Sequence, residues 1–152
     1  MIEVARLHLH ESNLDIDYRV QSSTALAAAE PASFNAVCCM ELIEHVPDPA
    51  ALVNDLAAML VPGGHLFMST INRTPVAFGA AIVGAEYVMK MLPRGTHHYA
   101  QFLKPSELAR LLRQAGLELE DVSGLAYNPL NRKAWLSPIT AVNYVLSAQK
   151  PA

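Results

Sequence analysis

The chain has 152 residues, of which 52% are hydrophobic and 16% are charged, and its formal net charge is −3. This composition excludes a disordered protein, because disordered chains lack the apolar residues that build a core. The length fits a single domain over residues 1–152. The acidic balance argues against nucleic-acid binding, which requires a dense basic surface.

The two cysteines of the chain are adjacent, at Cys38 and Cys39. Their spacing matches neither a disulfide framework nor a zinc site, and it favours a reducing compartment.

The first forty residues predict two helices and two strands. Met1 to His10 predicts the end of a helix, and Thr24 to Glu30 predicts a short second helix. Leu14 to Val20 alternates between apolar and polar residues, the pattern of an edge strand. The uncharged run Ala36 to Met40 predicts a strand that is buried on both faces of a parallel sheet.

The remaining elements continue the alternation of helix and strand. Asp48 followed by Pro49 predicts the start of a helix that runs to Leu60, because Asp accepts the free amide hydrogens of a first helical turn. Further along the chain we predict a tight turn at 61–64, a strand at 65–71, a helix at 105–115, strands at 117–125 and 141–148, and a long irregular loop between the last two.

The stretch Thr74 to Lys104 is predicted to be an insertion with a function of its own. Its uncharged part, Pro75 to Ala85, is too short to cross a bilayer, which takes about 20 apolar residues. From Arg73 to Lys104 four basic residues face one acid, which gives +3 and leaves −6 for the rest of the chain. The insertion therefore predicts a surface that faces an anionic membrane or a lid over an active site.

Three polar side chains follow the strand that ends at Met40. Glu41, Glu44 and His45 stand at spacings of three and one, so in one helical turn they could reach a single small volume. Ligands of open α/β sheets bind outside the carboxyl ends of strands. This corner is therefore the first candidate site.

Six short motifs occur in order along the chain: 39–45, 69–73, 83–87, 93–97, 124–129 and 142–144. With the run Glu-x-x-Glu-His-Val-Pro-Asp-Pro between a strand and a helix, the chain resembles the second half of a class I S-adenosylmethionine-dependent methyltransferase. More narrowly, it is similar to the O-methyltransferases of ubiquinone biosynthesis.

The resemblance implies a Rossmann-like α/β sheet in the strand order 3-2-1-4-5-7-6, with the last strand antiparallel. Two parts of the family pattern do not occur in this sequence: the glycine-rich loop after the first strand and the acidic residue after the second. We therefore expect a truncated, C-terminal part of the domain, with strands 1 and 2 absent and one edge of the Ala36 to Met40 strand uncovered.

The resemblance also implies an activity, in the EC 2.1.1 class. The family transfers a methyl group from S-adenosylmethionine to a phenolic hydroxyl of polyprenylated ubiquinone precursors. Expected partners are a membrane surface, met through Thr74 to Lys104, and other ubiquinone-biosynthesis enzymes. The expected location is the cytoplasmic side of the inner membrane, or the matrix side in a mitochondrion. Two other hypotheses remain open: an inactive module that binds membranes or a partner, and a methyltransferase for another small phenol.

Site residues follow from the same resemblance. Met40 matches a position that contacts the cofactor. Glu41, Glu44 and His45 match a divalent-metal site, in which a cation such as Mg²⁺ would lower the pKa of the substrate phenol. Alternatively, Glu41 lines a pocket, Glu44 pairs locally and His45 packs at the strand end. His97 is the candidate general base.

Overall fold

The computed structural model describes residues 2–12, 14–79, 98–128 and 131–152. Its helices are α1 (Ile2–Ser12), α2 (Ser23–Ala29), α3 (Pro49–Met59), α4 (Pro75–Ala77) and α5 (Pro105–Gln114). Its strands are β1 (Phe34–Met40), β2 (Leu60–Ile71), β3 (Glu118–Asn128), β4 (Lys133–Ser137) and β5 (Asn143–Gln149). Short 3₁₀ turns lie at Ile43–His45 and Tyr99–Gln101.

The five strands form one sheet in the order β1-β2-β5-β3-β4. Strands β1 and β2 run parallel, and every other neighbouring pair is antiparallel. The order β1-β2-β5-β3 is that of the predicted strands 4-5-7-6. The predicted α/β class and the antiparallel last strand are therefore confirmed.

One face of the sheet carries the core. Helices α3 and α5 pack against it, and α2 packs beside α3. Buried side chains from both layers interdigitate here, among them Leu56 of α3, Leu112 of α5, Met68 of β2 and Leu146 of β5. Because side chains alternate along a strand, Phe67 lies on the other face, where it is 36% exposed. The opposite face is thus the more open one.

Strand β1 lies at the edge of the sheet, with β2 as its neighbour. The predicted uncovered edge is therefore present, but the prediction that this strand is buried on both faces is wrong. Cys39 is buried, whereas Cys38 is exposed. Burial of both faces needs a packing layer above and below the sheet, and the face of β1 that carries Cys38 is exposed.

Leu14 to Val20 was predicted to be an edge strand, and this prediction is wrong. Apart from the half-buried Tyr18, the segment is exposed, and it belongs to no strand. An alternating sequence becomes a strand only when a neighbour accepts its backbone hydrogen bonds. Here side chains hold the segment instead: Arg6 donates to the Tyr18 carbonyl at 2.9 Å, and Arg19 pairs with Glu30.

The chain between the last two predicted strands is not an irregular loop. Strand β3 continues to Asn128 and pairs with β4, with Leu125 opposite Leu136 and Ala126 opposite Trp135. Gly124 allows the chain to return past this hairpin, because a Cβ there would lie 1.8 Å from the Ile139 carbonyl oxygen.

The predicted tight turn at 61–64 is part of β2. Strand β2 begins at Leu60, directly after α3. Gly63 donates its amide to the Lys150 carbonyl at 2.8 Å, and Lys150 donates in return to Gly64 at 2.9 Å. Gly63 takes a φ of +77° and the register to β1 shifts between Phe34 and Ala36, so these bonds hold an irregular stretch within β2.

Much of the insertion predicted over Thr74 to Lys104 lies outside the described residues, as does the candidate base His97. The described parts are α4 on one side and the 3₁₀ turn Tyr99–Gln101 on the other. Within the described ranges, no helix combines the length and the apolar character that crossing a membrane requires.

Candidate functional site

The chain turns sharply at the carboxyl end of β1, next to β2. Glu41 takes a φ of +49°, in the left-handed region that non-glycine residues rarely adopt. Two reciprocal bonds hold it there: the Glu41 amide donates to Ser69 Oγ at 3.1 Å, and Ser69 Oγ donates to Glu41 Oε1 at 2.6 Å. Met40, the last residue of the strand, is left 49% exposed at this corner.

Glu44 lies in the wall of the same corner. The 3₁₀ turn Ile43–His45 buries it to 2% exposure, and Thr70 Oγ1 donates to its Oε2 at 2.8 Å. Its Oε1 is buried and accepts no hydrogen bond from the described residues. Glu44 is therefore a buried carboxylate with a single donor, which makes the Thr70 bond important for its placement.

The Glu44 carboxylate contributes to the raised pKa values of two buried neighbours, Cys39 and Tyr144. Burial, and after it the Glu44 carboxylate, raises the pKa of the Cys39 thiol to about 11. Burial also raises the pKa of Tyr144 far above its usual range, with smaller contributions from Glu107 and Glu44. The Tyr144 hydroxyl donates to the Leu103 carbonyl at 3.1 Å. Cys39 and Tyr144 thus stay protonated near neutral pH, and both side chains pack in the hydrophobic core.

The three predicted metal ligands do not come together. Glu41 bonds to Ser69 and Glu44 bonds to Thr70, and consecutive residues of β2 point to opposite faces of the sheet. Glu41 and His45 are exposed, whereas Glu44 is buried. Among the described residues there is no group of three or more His, Cys, Asp or Glu side chains that could hold a metal ion. The arrangement does not fit the Mg²⁺ site that the sequence predicted.

A second polar cluster, which the sequence did not predict as a pair, lies beside this corner. Arg73 forms an ion pair with Glu107 of α5, 34 residues further along the chain. The Lys104 amide and then Arg73 lower the pKa of Glu107. A cavity of about 410 Å³ lies between this pair and Asp48, which caps the start of α3. Local residue spacing cannot predict a contact between residues that are 34 positions apart, so the sequence carried no signal for the Arg73–Glu107 pair.

Asn72, which directly follows β2, has a structural role. Asn72, 6% exposed, donates to the Thr140 carbonyl at 2.8 Å and so ties the end of β2 to the segment before β5. The role of Met40 toward a cofactor stays a prediction, as does that of His97.

Comparison with known proteins identifies the family. The sequence pattern of the methyltransferase domain family matches residues 4–122. The ubiquinone biosynthesis O-methyltransferase of Xanthomonas euvesicatoria pv. vesicatoria is 58% identical over 151 residues, which cover 99% of this chain and 63% of that protein. The protein of the same name from Xanthomonas oryzae pv. oryzae is also 58% identical over the same shares. The chain thus spans about 63% of the length of these relatives.

Solved structures agree on the fold. An S-adenosylmethionine-dependent methyltransferase from Methanosarcina mazei matches 99% of this chain and 77% of its own, with a TM-score of 0.67 and 16% identity. The 1,6-didemethyltoxoflavin-N1-methyltransferase of Burkholderia thailandensis, solved with S-adenosylhomocysteine, matches 99% of this chain and 57% of its own, with a TM-score of 0.61 and 18% identity. The sheet order, the family pattern and these neighbours agree, and the chain belongs to the methyltransferase domain family.

Proposed function

We propose that the protein transfers a methyl group from S-adenosylmethionine to a phenolic hydroxyl of a polyprenylated ubiquinone precursor. The observation that carries this proposal is the 58% identity, over 99% of the chain, to proteins named ubiquinone biosynthesis O-methyltransferase. The position of the candidate corner, at the carboxyl end of a parallel strand, is where α/β sheets bind their ligands.

The residues at the end of β1 suit the adenosyl part of the cofactor. Met40 and Leu42 are large hydrophobic side chains that are 49% and 47% exposed on either side of the left-handed Glu41. Exposed apolar side chains at a strand end offer a surface for an aromatic base. The Ser69–Glu41 bonds fix the turn between them, so these two residues would flank the adenosyl group.

Methyl transfer depends on the alignment of the phenol oxygen with the methyl group of the cofactor. The bound cofactor supplies an electrophilic methyl group, and the protein must hold the phenol oxygen in line with it in a site that excludes water. A general base removes the phenolic proton, and His97 is our candidate for that role. The buried Glu44–Thr70 pair and the Glu41–Ser69 pair connect the corner to β2 and keep its backbone in place.

The substrate class implies a location. A polyprenyl tail remains in the bilayer, so an enzyme that modifies its head group gains from working at the membrane surface. We propose peripheral association with the cytoplasmic face of the inner membrane, or with the matrix side in a mitochondrion. The basic and apolar composition of Thr74 to Lys104 supports this.

Transfer of a labelled methyl group tests the proposal. The purified chain should methylate a polyprenylated catechol faster than a soluble one, and Met40→Ala should weaken binding of the cofactor. Leu7→Ala is the control, because Leu7 is also an exposed hydrophobic residue but lies on α1. Equal rates on both phenols would favour a methyltransferase for another small phenol. Membrane binding without any methyl transfer would favour a non-catalytic module.

A further inference from the structure

The hairpin of β3 and β4 exposes large apolar side chains that the proposed reaction does not use. Tyr127, Trp135 and Leu136 are 54%, 52% and 64% exposed. The pairing places Leu125, Tyr127 and Leu136 on one face of the hairpin and Trp135 on the other. We call these four residues, together with Arg132 and Lys133, the hairpin surface. Leu125, Tyr127 and Leu136 share an exposed apolar face, and exposed apolar patches often mark sites of interaction.

The charge of the hairpin differs from that of the rest of the chain. Residues 124–140 contain Arg132 and Lys133 and no Asp or Glu, which gives +2 and leaves −5 for the remainder. Within the described residues neither Arg132 nor Lys133 forms an ion pair. Both lie at the turn end of the hairpin, where a charged partner can reach them. The hairpin is therefore a second positive segment, besides residues 73–104, in a chain with a net charge of −3.

The link between β4 and β5 is joined to the segment that begins the insertion. The backbone amide of Asn72 donates to the Val142 carbonyl at 2.9 Å, and Thr74 Oγ1 donates to the Ala141 carbonyl at 2.5 Å. Val76 and Phe78 follow on this segment and are 58% and 43% exposed. The chain that returns from the hairpin to β5 is therefore bonded to the described start of the insertion.

We propose that the β3–β4 hairpin is a docking element for an anionic lipid surface. Tyr and Trp rings settle at the level of lipid headgroups, with the apolar part of the ring inward and the polar atom in water. Arg132 and Lys133 would meet lipid phosphates, while repulsion of the acidic remainder orients the hairpin toward the bilayer. Because β4 is an edge strand with unpaired backbone groups, the hairpin stays at headgroup depth and does not enter the hydrocarbon.

This inference rests on the membrane association proposed above but is independent of methyl transfer. A lipid surface accounts for both kinds of residue, since it presents an apolar layer directly beneath an anionic one. A protein partner of the hairpin surface is the other outcome that the test must separate.

Trp135 makes the test direct, because it is the single tryptophan of the chain. Mixed vesicles of phosphatidylglycerol and phosphatidylcholine should shift its emission to shorter wavelength, and brominated lipids should quench it. Vesicles of phosphatidylcholine alone should have a much smaller effect. A lack of response to the anionic vesicles would overturn the proposal, as would an equal response to both kinds of vesicle.

In a sedimentation assay with the same vesicles, variants distinguish binding through the hairpin from binding through the rest of the protein. A basic residue near an anionic surface is worth about fivefold in binding, so R132Q/K133Q should bind about 25-fold more weakly. R110Q/R113Q changes the net charge equally on α5 and should bind like the wild type. All four side chains are exposed, and equal unfolding midpoints would show that each fold is intact. Equal binding by the two double variants would overturn the role of the hairpin.

Leu136→Ser tests the apolar part, with Leu7→Ser on α1 as the matched control, since the two leucines are 64% and 67% exposed. The hairpin variant should lose binding and the control should not. A protein that methylates a soluble phenol but ignores vesicles would refute the docking element and leave methyl transfer standing. Vesicle binding through the hairpin without methyl transfer would do the reverse.

Discussion

Replacement of Thr70 by Val tests the role of the buried Glu44. Valine keeps the shape of threonine but removes the hydroxyl that donates to Glu44 Oε2 at 2.8 Å. Since Oε1 already accepts no bond within the described residues, both carboxylate oxygens would then be buried without a donor. The candidate corner should therefore lose stability.

The magnitude follows from the charge of the acceptor. A hydrogen bond to an ionised group contributes about 1.5–3 kcal/mol, and a neutral one about 1 kcal/mol. We expect Thr70→Val to lower the free energy of unfolding by about 2 kcal/mol. For a chain of this size that corresponds to a fall in Tm of about 4–8 °C. Thr70→Ser keeps the donor and loses one methyl group, so it should cost about 0.8 kcal/mol.

Urea unfolding of four proteins isolates the pair: the wild type, Thr70→Val, Glu44→Gln and the double variant. Glutamine keeps an acceptor for Thr70 without the charge, so Thr70→Val should cost about 1 kcal/mol less in that background. If Thr70→Val costs less than about 0.5 kcal/mol, or costs the same in both backgrounds, the carboxylate does not depend on this bond.

Three further predictions follow from other contacts. Lys150 Nζ donates to the carbonyls of Ala57 and Leu60 at 2.9 and 2.8 Å, so Lys150→Met should cost about 2 kcal/mol in urea unfolding, and no loss would refute its role at the end of α3. Cys38 should react with a thiol reagent at neutral pH while the buried Cys39, with its pKa raised to about 11, reacts only after unfolding; two fast thiols would contradict the placement. The pKa of Glu107 lies below its ordinary value of 4.5, so its contribution to stability is present above that pH and is lost as the pH falls through the lower folded value. Glu107→Gln should therefore flatten the acid limb of the curve of stability against pH, and an unchanged limb would show that Glu107 does not cause it.

Local patterns sufficed for the parts of the fold that local interactions decide. Asp48 accepts the amides of Ala50 and Ala51 at 3.0 Å, as the cap predicted before Pro49 requires. The uncharged run before Glu41 is a strand, and the helix at 105–115 is α5. These elements depend on caps, turn residues and hydrophobic periodicity that can be read within a dozen residues.

Long-range contacts decided the rest. Leu14 to Val20 has the pattern of a strand but lacks a neighbour. Asn128 before Pro129 indicates a turn, but it does not show that the segments on either side pair as strands, with Trp135 opposite Ala126. The predicted metal site required Glu41 and Glu44 on one helical face. A left-handed residue and a 3₁₀ turn direct them to opposite faces of the sheet, and spacing alone could not reveal that.

Calorimetric titration of S-adenosylhomocysteine into the purified chain tests the proposed methyltransferase most directly. We expect saturable binding that does not require Mg²⁺, that Met40→Ala weakens and that Leu7→Ala leaves unchanged. A folded chain that takes up no S-adenosylhomocysteine, or that binds it equally well without the Met40 side chain, would contradict the cofactor site at the end of β1.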